Sequence, residues 1–519
     1  MSGTAFHKDK IERVDGTRSS SRFMVLAIIV VAIALAMRLH TLSSRSLWTD
    51  EAYSHWFASL SWHDLWTKTP FYETHPPFYY SILKLGMGIS GASEAGLRGW
   101  SVLASLVTVV ILLAAPRLAG FGRQYDKVGL FAAVLLAVNQ GNIEYAQQAR
   151  PYAIETLFCT VMILASVIFL KRRVVDPREQ GPLAGNWQVI WLLGVSSGIS
   201  LWLHNTAAFI IFGNWIGLFV AVMLFSRFKL ADVRTLVCAL VIALLIWAPC
   251  VPIILQESQT VSTGFWAVIS LKMITWPYTQ AAGGKYVFLL SLVLIAIAWI
   301  AYGKARNPLS LYALLVLVVP VGSLFFISYV FRPVFVPRTF EWMAPAYVML
   351  TALGILALRN PVLRNGALAL AVLLCLVQDY AFYHTPTENL RDLYRDVVVN
   401  AKPGDIVLAY PNEAALGMVY YETRERKGVD TVALPAAFPA VGLSRPYFNT
   451  NKGVPTVVDA DRGSLTTLVA GRGRVLLMEK DMEGANKDGG VVFDQLKKLR
   501  GAPVAVADYN NGLKLYTFR

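Results

Sequence analysis

Two adjacent carboxylates, Asp50 and Glu51, stand in the stretch SLWTDEAYSHWF (46–57), bracketed by Trp48, Tyr53 and Trp56 and placed just after the first long apolar run. A carboxylate so placed suits a general base, since it can take the proton of an incoming hydroxyl. Further polar groups recur at the same kind of boundary. His75 and Lys84 lie in HPPFYYSILKLGMGIS (75–90), and Arg98 in GLRGWS (96–101). Glu144, Gln148, Arg150, Tyr152 and Glu155 share NQGNIEYAQQARPYAIE (139–155), His204 sits in a tight turn, and Arg338 in FRPVFVPRTFEW (331–342). Arginine, lysine and histidine hold phosphate, arginine bidentately. Acids and bases gathered this way suit transfer of a phosphate-linked group to a hydroxyl.

Each of these residues also has a plain structural reading. Glu51 and Arg98 read as supports of the first loop, and His75, before Pro76, as a helix-entry residue. Arg150, Arg338 and Lys84 read as span-end anchors whose stems lie along apolar surface. His204 reads as a turn residue.

The elements that must position these groups follow from composition. The chain has 519 residues, 55% hydrophobic and only 15% charged, with a mean hydropathy of +0.50. Soluble proteins carry about 25% charged residues, and here the apolar residues come in long blocks. A helix crossing a bilayer needs about 20 of them. Runs near 23–39, 98–116, 127–141, 152–170, 187–203, 206–225, 235–255, 286–302, 309–328, 342–358 and 366–380 qualify or nearly so, about eleven spans in all. The net charge of +14 comes mostly from basic residues in short loops between these runs. It marks a cytoplasmic face rather than nucleic-acid binding. Cys159, Cys238, Cys250 and Cys375 all lie in apolar runs, so no disulfide framework is indicated.

Residues 76–89 are short, open with two prolines and contain Lys84. If they crossed, Arg117, Arg123, Lys127, the KRR of 171–173 and the Arg227/Lys229/Arg234 loop would fall outside. If they do not, all of these lie inside with Lys304, Arg306, Arg359 and Arg364. The positive-inside rule selects the second solution, so 76–89 is an interfacial or partly re-entrant helix on the external face. The layout expected is a cytoplasmic tail (1–22), a transmembrane domain (23–383) with a first external loop (40–97), and an external α/β domain (384–519). In the last, DIVLAY (405–410), VPTVVDA (454–460), RVLLMEK (474–480) and KLYTF (514–518) read as strands. NLRDLYRDVVVNA (389–401) and VVFDQLKKLR (491–500) read as helices.

With this topology the candidate residues share the external face, while the spans are nearly free of ionisable groups. A pump or ion-coupled carrier would need such groups near midplane. No P-loop, no dinucleotide-binding glycine motif and no Cys/His cluster is present. Nucleotide-activated donors are cytoplasmic, so an external transferase would draw on a lipid-linked one.

The order of these motifs resembles the GT-C superfamily of polyprenyl-phosphate-dependent glycosyltransferases. The branch it is most similar to is the bacterial relatives of protein O-mannosyltransferases and of the lipid A aminoarabinose transferase. The pattern is an Asp-Glu pair after the first span, then HPP with aromatics, an LRLPS-like arginine, a Q-E-A-R-x-Y motif and a late R-Y, over roughly residues 20–380. The resemblance implies a polytopic α-helical membrane protein of GT-C fold, with external juxtamembrane helices and a C-terminal soluble α/β domain. It implies a bacterial inner-membrane glycosyltransferase with a cytoplasmic N-terminus and a periplasmic C-terminal domain. Its donor would be a sugar on a polyprenyl (undecaprenyl) monophosphate, its acceptor a hydroxyl of lipid A or lipopolysaccharide, another glycan or a protein, with membrane lipids around it and inversion at the anomeric carbon. Carried over, Asp50 is the general base with Glu51 beside it, and His75, Arg150 and Arg338 face the donor phosphate. Arg98, Glu144, Gln148, Tyr152, Glu155, Lys84 and His204 fall to support or substrate contact. Two positions depart from the pattern: the glutamate of QEAR is Gln148, and RY reads Arg338-Thr339-Phe340. These leave donor identity open, and with it a divalent metal ion as the one cofactor in question. A lipid-linked glycan flippase and a non-catalytic scaffold with an external binding domain are the rival readings.

Overall fold

The computed structural model describes residues 3–73, 75–175, 186–225, 229–261, 269–302, 307–331, 333–443, 453–480 and 489–519. Among the described residues eight helices are long and apolar enough to cross a membrane: Ser21–Leu39, Glu94–Leu118, Tyr152–Val175, Ala207–Phe225, Leu230–Ser258, Lys285–Tyr302, Pro308–Val330 and Pro361–His384. This is a multi-pass membrane protein. The other three expected runs are helices too, at Asp126–Ala137, Asn186–Leu203 and Ala344–Ala357, but shorter or more polar. The second of these trades apolarity for close packing. A Cβ on Gly194 would lie 2.7 Å from the Ala239 carbonyl and one on Gly198 3.1 Å from that of Ala243, the small-residue contact by which membrane helices approach. The first helix runs without a break from Gly3, so the polar start of the chain continues its first span as helix.

Local capping sets where these helices begin. Ser93 accepts from the Gly96 N–H at the start of Glu94–Leu118, and Asn139 from that of Asn142 at the start of Gln140–Ala146. Asn307 and Asn360 do the same ahead of Pro308 and Pro361, residues preset for a first helical turn.

The helix Phe78–Ser90 has 13 residues, about 20 Å at 1.5 Å each and too short to cross. Contacts among helix ends agree with that. Tyr383 donates to the Met37 carbonyl, Arg45 to that of Phe382 at 2.6 Å, Asn205 to Glu257 at 2.9 Å and Asn139 to the Ala281 carbonyl at 2.9 Å. The end near 39 is thus joined to that near 383, the end near 139 to that near 282, and the end near 205 to that near 257. At the opposite ends Arg117 pairs with Asp126 at 2.6 Å, Arg173 with Asp232 at 3.0 Å, and Lys171 donates to the Gly120 carbonyl. Arg227, Lys304 and Arg306 lie outside the described residues.

The C-terminal region carries a five-stranded sheet: β1 (Ile406–Tyr410), β2 (Thr431–Ala433), β3 (Val475–Lys480), β4 (Ala505–Asp508) and β5 (Leu513–Phe518), in the order β2-β1-β3-β5-β4. β1 pairs in parallel with β2 and β3, while β5 runs antiparallel to β3 and β4. The strand expected at 454–460 does not form; the segment ends in the short turn Asp459–Asp461. β2, three residues long, and the exposed edge strand β4 lack the alternation that sequence reading relies on. The sheet does not stand apart from the helices. Leu390, Tyr394, Leu416 and Phe438 share one buried cluster with Leu47, Tyr53, Phe57, Tyr80 and Leu83 of the first loop.

Candidate active site

Asp50 lies in the first turn of the helix Thr49–Ser59. Its Oδ2 stands 3.8 Å from Nη2 of Arg150 and 3.7 Å from Nη1 of Arg338. Arg150 is contributed by the turn before the Tyr152–Leu170 helix, and Arg338 by the short helix Pro337–Met343. About a quarter of the Asp50 side chain and a third of the Arg338 side chain remain exposed, at 26% and 35%, whereas Arg150 is buried. A carboxylate reachable from outside thus faces two guanidiniums held on separate elements.

Aromatic and imidazole rings line the next layer. The His75 ring meets His204 edge-on at 4.8 Å, His204 lies 5.8 Å from Tyr152, and Tyr152 5.0 Å from Tyr145. Nδ1 of His75 is 2.5 Å from Oε1 of Glu73. His204 Nδ1 accepts from the Thr206 N–H at 3.1 Å, which leaves Nε2 as its proton-bearing nitrogen. Burial, with His75, Arg150 and Arg338 nearby, holds the His204 imidazole neutral, well below its ordinary range. Tyr152, and after it Asp50, push the Arg338 guanidinium above its ordinary value against the effect of burial.

Glu51 occupies a different environment from its neighbour. It is fully buried, and Arg98 clasps both its oxygens, at 2.8 and 2.6 Å. The Ala149 N–H donates to it at 2.8 Å, and Arg98 also reaches the carbonyls of Leu42, Arg45 and Ser46. Glu51 so enclosed is out of a substrate hydroxyl's reach and ties the first loop to Arg98. Lys84 likewise turns its amine to the first loop. It donates to the carbonyls of Ala58 and Leu60 at 3.2 and 2.6 Å, closing the C-terminal end of the Asp50 helix.

Glu144 is hydrogen-bonded by Gln140 at 2.8 Å, and burial raises its carboxyl while Arg45 and Arg338 oppose the rise. Gln148 contributes its backbone carbonyl, which accepts from Ser101 at 2.7 Å. Glu155 is buried farther along its helix, its Oε1 without a partner, and is not joined to the Asp50 cluster by any described bond. The aromatics that follow Asp50 on its helix pack against the C-terminal domain. Tyr53 and Phe57 are buried, and Trp56, half-buried, joins them around Phe438 of the C-terminal domain, at ring distances of 5.0, 6.2 and 4.9 Å.

Similarity to solved structures is extensive in shape and slight in sequence. ArnT from Cupriavidus metallidurans in the apo state aligns over 94% of this chain and 97% of its own, with a TM-score of 0.60 and 12% identity. The same protein bound to undecaprenyl phosphate gives 0.61 and 13% over the same shares. The archaeal oligosaccharyltransferase AglB from Archaeoglobus fulgidus, in complex with an inhibitory peptide and a dolichol-phosphate, aligns over 89% of this chain and 70% of its own at 0.56 and 11%. No protein-family model and no curated protein sequence matches the chain. The chain has the GT-C fold.

Within this GT-C fold four groups stand close to Asp50 that the sequence did not single out. Glu73 holds His75. Glu388 accepts from Thr49, Glu413 accepts from the Tyr53 hydroxyl, and Lys480 pairs with Glu388. Glu73 is two residues from His75 and was legible as part of the same motif, whereas the other three looked like solvated acids and a lysine of a soluble domain. An apolar cavity of about 320 Å³ lies between the membrane helices, lined in part by Leu112, Ile163, Val167, Tyr312, Ala346 and Met349. Among the described residues no group of three or more His, Cys, Asp or Glu side chains is arranged to hold a metal ion. No step below runs through a metal ion.

Glu413 gives this junction a pH dependence. Burial pushes its carboxyl up to about 7, helped by Asp50 and Glu388 and opposed by the Tyr53 hydrogen bond and Lys480. An acid whose pKa rises on folding lends stability that is complete below its ordinary value of 4.5 and is lost as pH climbs through about 7. Glu413→Gln cannot ionise, so its apparent Tm should fall less between pH 5 and 9 than that of the wild type. Scanning fluorimetry across that range checks this, and parallel curves for the two proteins would refute it.

Proposed function

We infer that the chain is a glycosyltransferase that moves a sugar from a polyprenyl monophosphate to a hydroxyl of an envelope glycolipid, glycan or protein, at the periplasmic surface of a bacterial inner membrane. The observation that carries this is the partly exposed carboxylate of Asp50 set 3.7–3.8 Å from two guanidiniums, in a fold shared with a protein solved with undecaprenyl phosphate bound. The orientation rests on the basic loops gathering at the far end of the bundle.

In this reading the donor phosphate lies against Arg338 and Arg150, with His75 and the Nε2–H of His204 beside it, and the isoprenoid tail follows the apolar cavity. The acceptor oxygen attacks the anomeric carbon as its proton passes to Asp50. The bond from that carbon to the phosphate oxygen breaks, and configuration inverts. The leaving polyprenyl phosphate keeps the electron pair, and its added charge falls on the two guanidiniums. Donors fixed in advance where charge develops supply much of an enzyme's rate. No acid is needed, because the leaving group departs as an anion.

Mass spectrometry of envelope glycolipids and glycoproteins from a deletion strain tests the reading, since one missing sugar would identify donor and acceptor together. Reconstituted with the lipid-linked sugar so identified, the protein should release polyprenyl phosphate only when acceptor is present. Arg338→Ala should weaken polyprenyl phosphate binding about 10-fold or more, the worth of a charge-assisted contact, and slow transfer with it. Unchanged affinity would remove Arg338 from the phosphate site. An unaltered envelope together with no release in vitro would overturn the function.

A further inference from the structure

The helix that carries Asp50 has no cap of its own. Trp48 precedes it in an extended conformation, with no side-chain hydrogen bond to the first turn, and an indole cannot accept one. Instead Oε1 of Glu388 accepts from both the backbone N–H of Thr49, at 3.1 Å, and its hydroxyl, at 2.6 Å. Glu388 is buried, and its second oxygen pairs with Lys480 on β3, which also donates to the Asn511 carbonyl at 2.6 Å. One turn along the helix the Tyr53 hydroxyl donates to Glu413. The residues just before Asp50 and three places after it are therefore both held by carboxyl groups of the C-terminal domain.

We propose that Glu388 is a positioning residue that caps the Asp50 helix from the C-terminal domain, so that this domain completes the active site. The physical case is the one for any helix start. An acceptor there satisfies an amide left without an intrahelical partner, and negative charge there complements the helix dipole. Lys84 does the converse at the other end of the same helix. An 11-residue helix is marginal on its own, so the first turn, where Asp50 sits, depends on this outside acceptor. Reaction geometry is sensitive at this scale: a displacement of 1 Å costs about 100-fold in rate. The domain is thereby an integral part of the site and not a separate binding module.

This rests on Asp50 being the base, so the experiment reads the cap and the chemistry separately. In the full-length protein Glu388→Ala should speed amide exchange in a peptide covering residues 47–53 by about 10-fold. It should lower kcat about 10- to 100-fold and leave polyprenyl phosphate affinity within about twofold, since Arg150 and Arg338 sit on other elements. Glu388→Gln keeps an acceptor oxygen, so exchange and kcat should return to within about threefold of wild type. It also decides the matter if the alanine variant does not fold. Unchanged exchange in Glu388→Ala would overturn the cap. Faster exchange with wild-type kcat would overturn the positioning role, and so would a glutamine variant no better than alanine. If the wild type itself transfers no sugar, the functional reading fails while the exchange result still decides the cap.

Discussion

Asp50→Asn should abolish the proposed sugar transfer while leaving the protein folded, inserted and able to bind polyprenyl phosphate. The expected loss in kcat is about 10²- to 10⁴-fold, the usual worth of a positioned general base. Asparagine preserves the shape of the side chain and a polar contact to Arg150 and Arg338, which stand 3.8 and 3.7 Å from the carboxylate, but it cannot take a proton. Removing the negative charge between two guanidiniums also leaves them freer to hold phosphate, so donor affinity should hold or rise. Single-turnover transfer and lipid-phosphate binding, measured on the same preparation, check both halves. Wild-type turnover in Asp50→Asn would end the assignment of the base, and would agree with a scaffold.

Arg98→Ala should do something different, namely unfold the first loop. Arg98 makes five hydrogen bonds, two to Glu51 and three to the carbonyls of Leu42, Arg45 and Ser46. Truncation strands a fully buried carboxylate and those carbonyls together. Breaking one side of a buried ion pair costs about 3–5 kcal/mol, which for a chain of this length corresponds to a fall of roughly 3–5 °C in apparent Tm. Glu51→Gln is the informative companion, because an amide oxygen can still accept from the Ala149 N–H. It should keep part of the activity in proportion to its stability, whereas a catalytic Glu51 would give a stable, inactive protein. An Arg98→Ala protein that melts with the wild type would refute this account.

Much of this was legible from residue order. The apolar runs give helices wherever they occur, because hydrocarbon leaves backbone amides no partner outside their own segment. Asp50, His75, Arg150 and Arg338 all lie at ends of those runs, and an even count of crossings between them carries them to one face. The short run 76–89 was resolved by the same parity, through the side on which its basic neighbours fell. What the order of residues could not convey is which side chain of an adjacent pair faces the solvent. Asp50 and Glu51 are chemically alike and next to each other, yet a helix turns successive residues about 100° apart, so one faces Arg338 and the other Arg98.

The sequence by itself determined a multi-pass helical protein with acids and bases collected at one end of its spans, because burial in lipid and charge at loops are local, additive properties. Only the tertiary structure decided what each group does. Glu388, Glu413 and Lys480 are more than 300 residues from Asp50 along the chain, and nothing in their own neighbourhoods distinguishes them from solvated surface residues. They matter because the C-terminal domain packs its core onto Tyr53, Phe57 and Tyr80 of the first loop. That packing brings an acceptor to a helix whose own flanking residue, Trp48, cannot supply one.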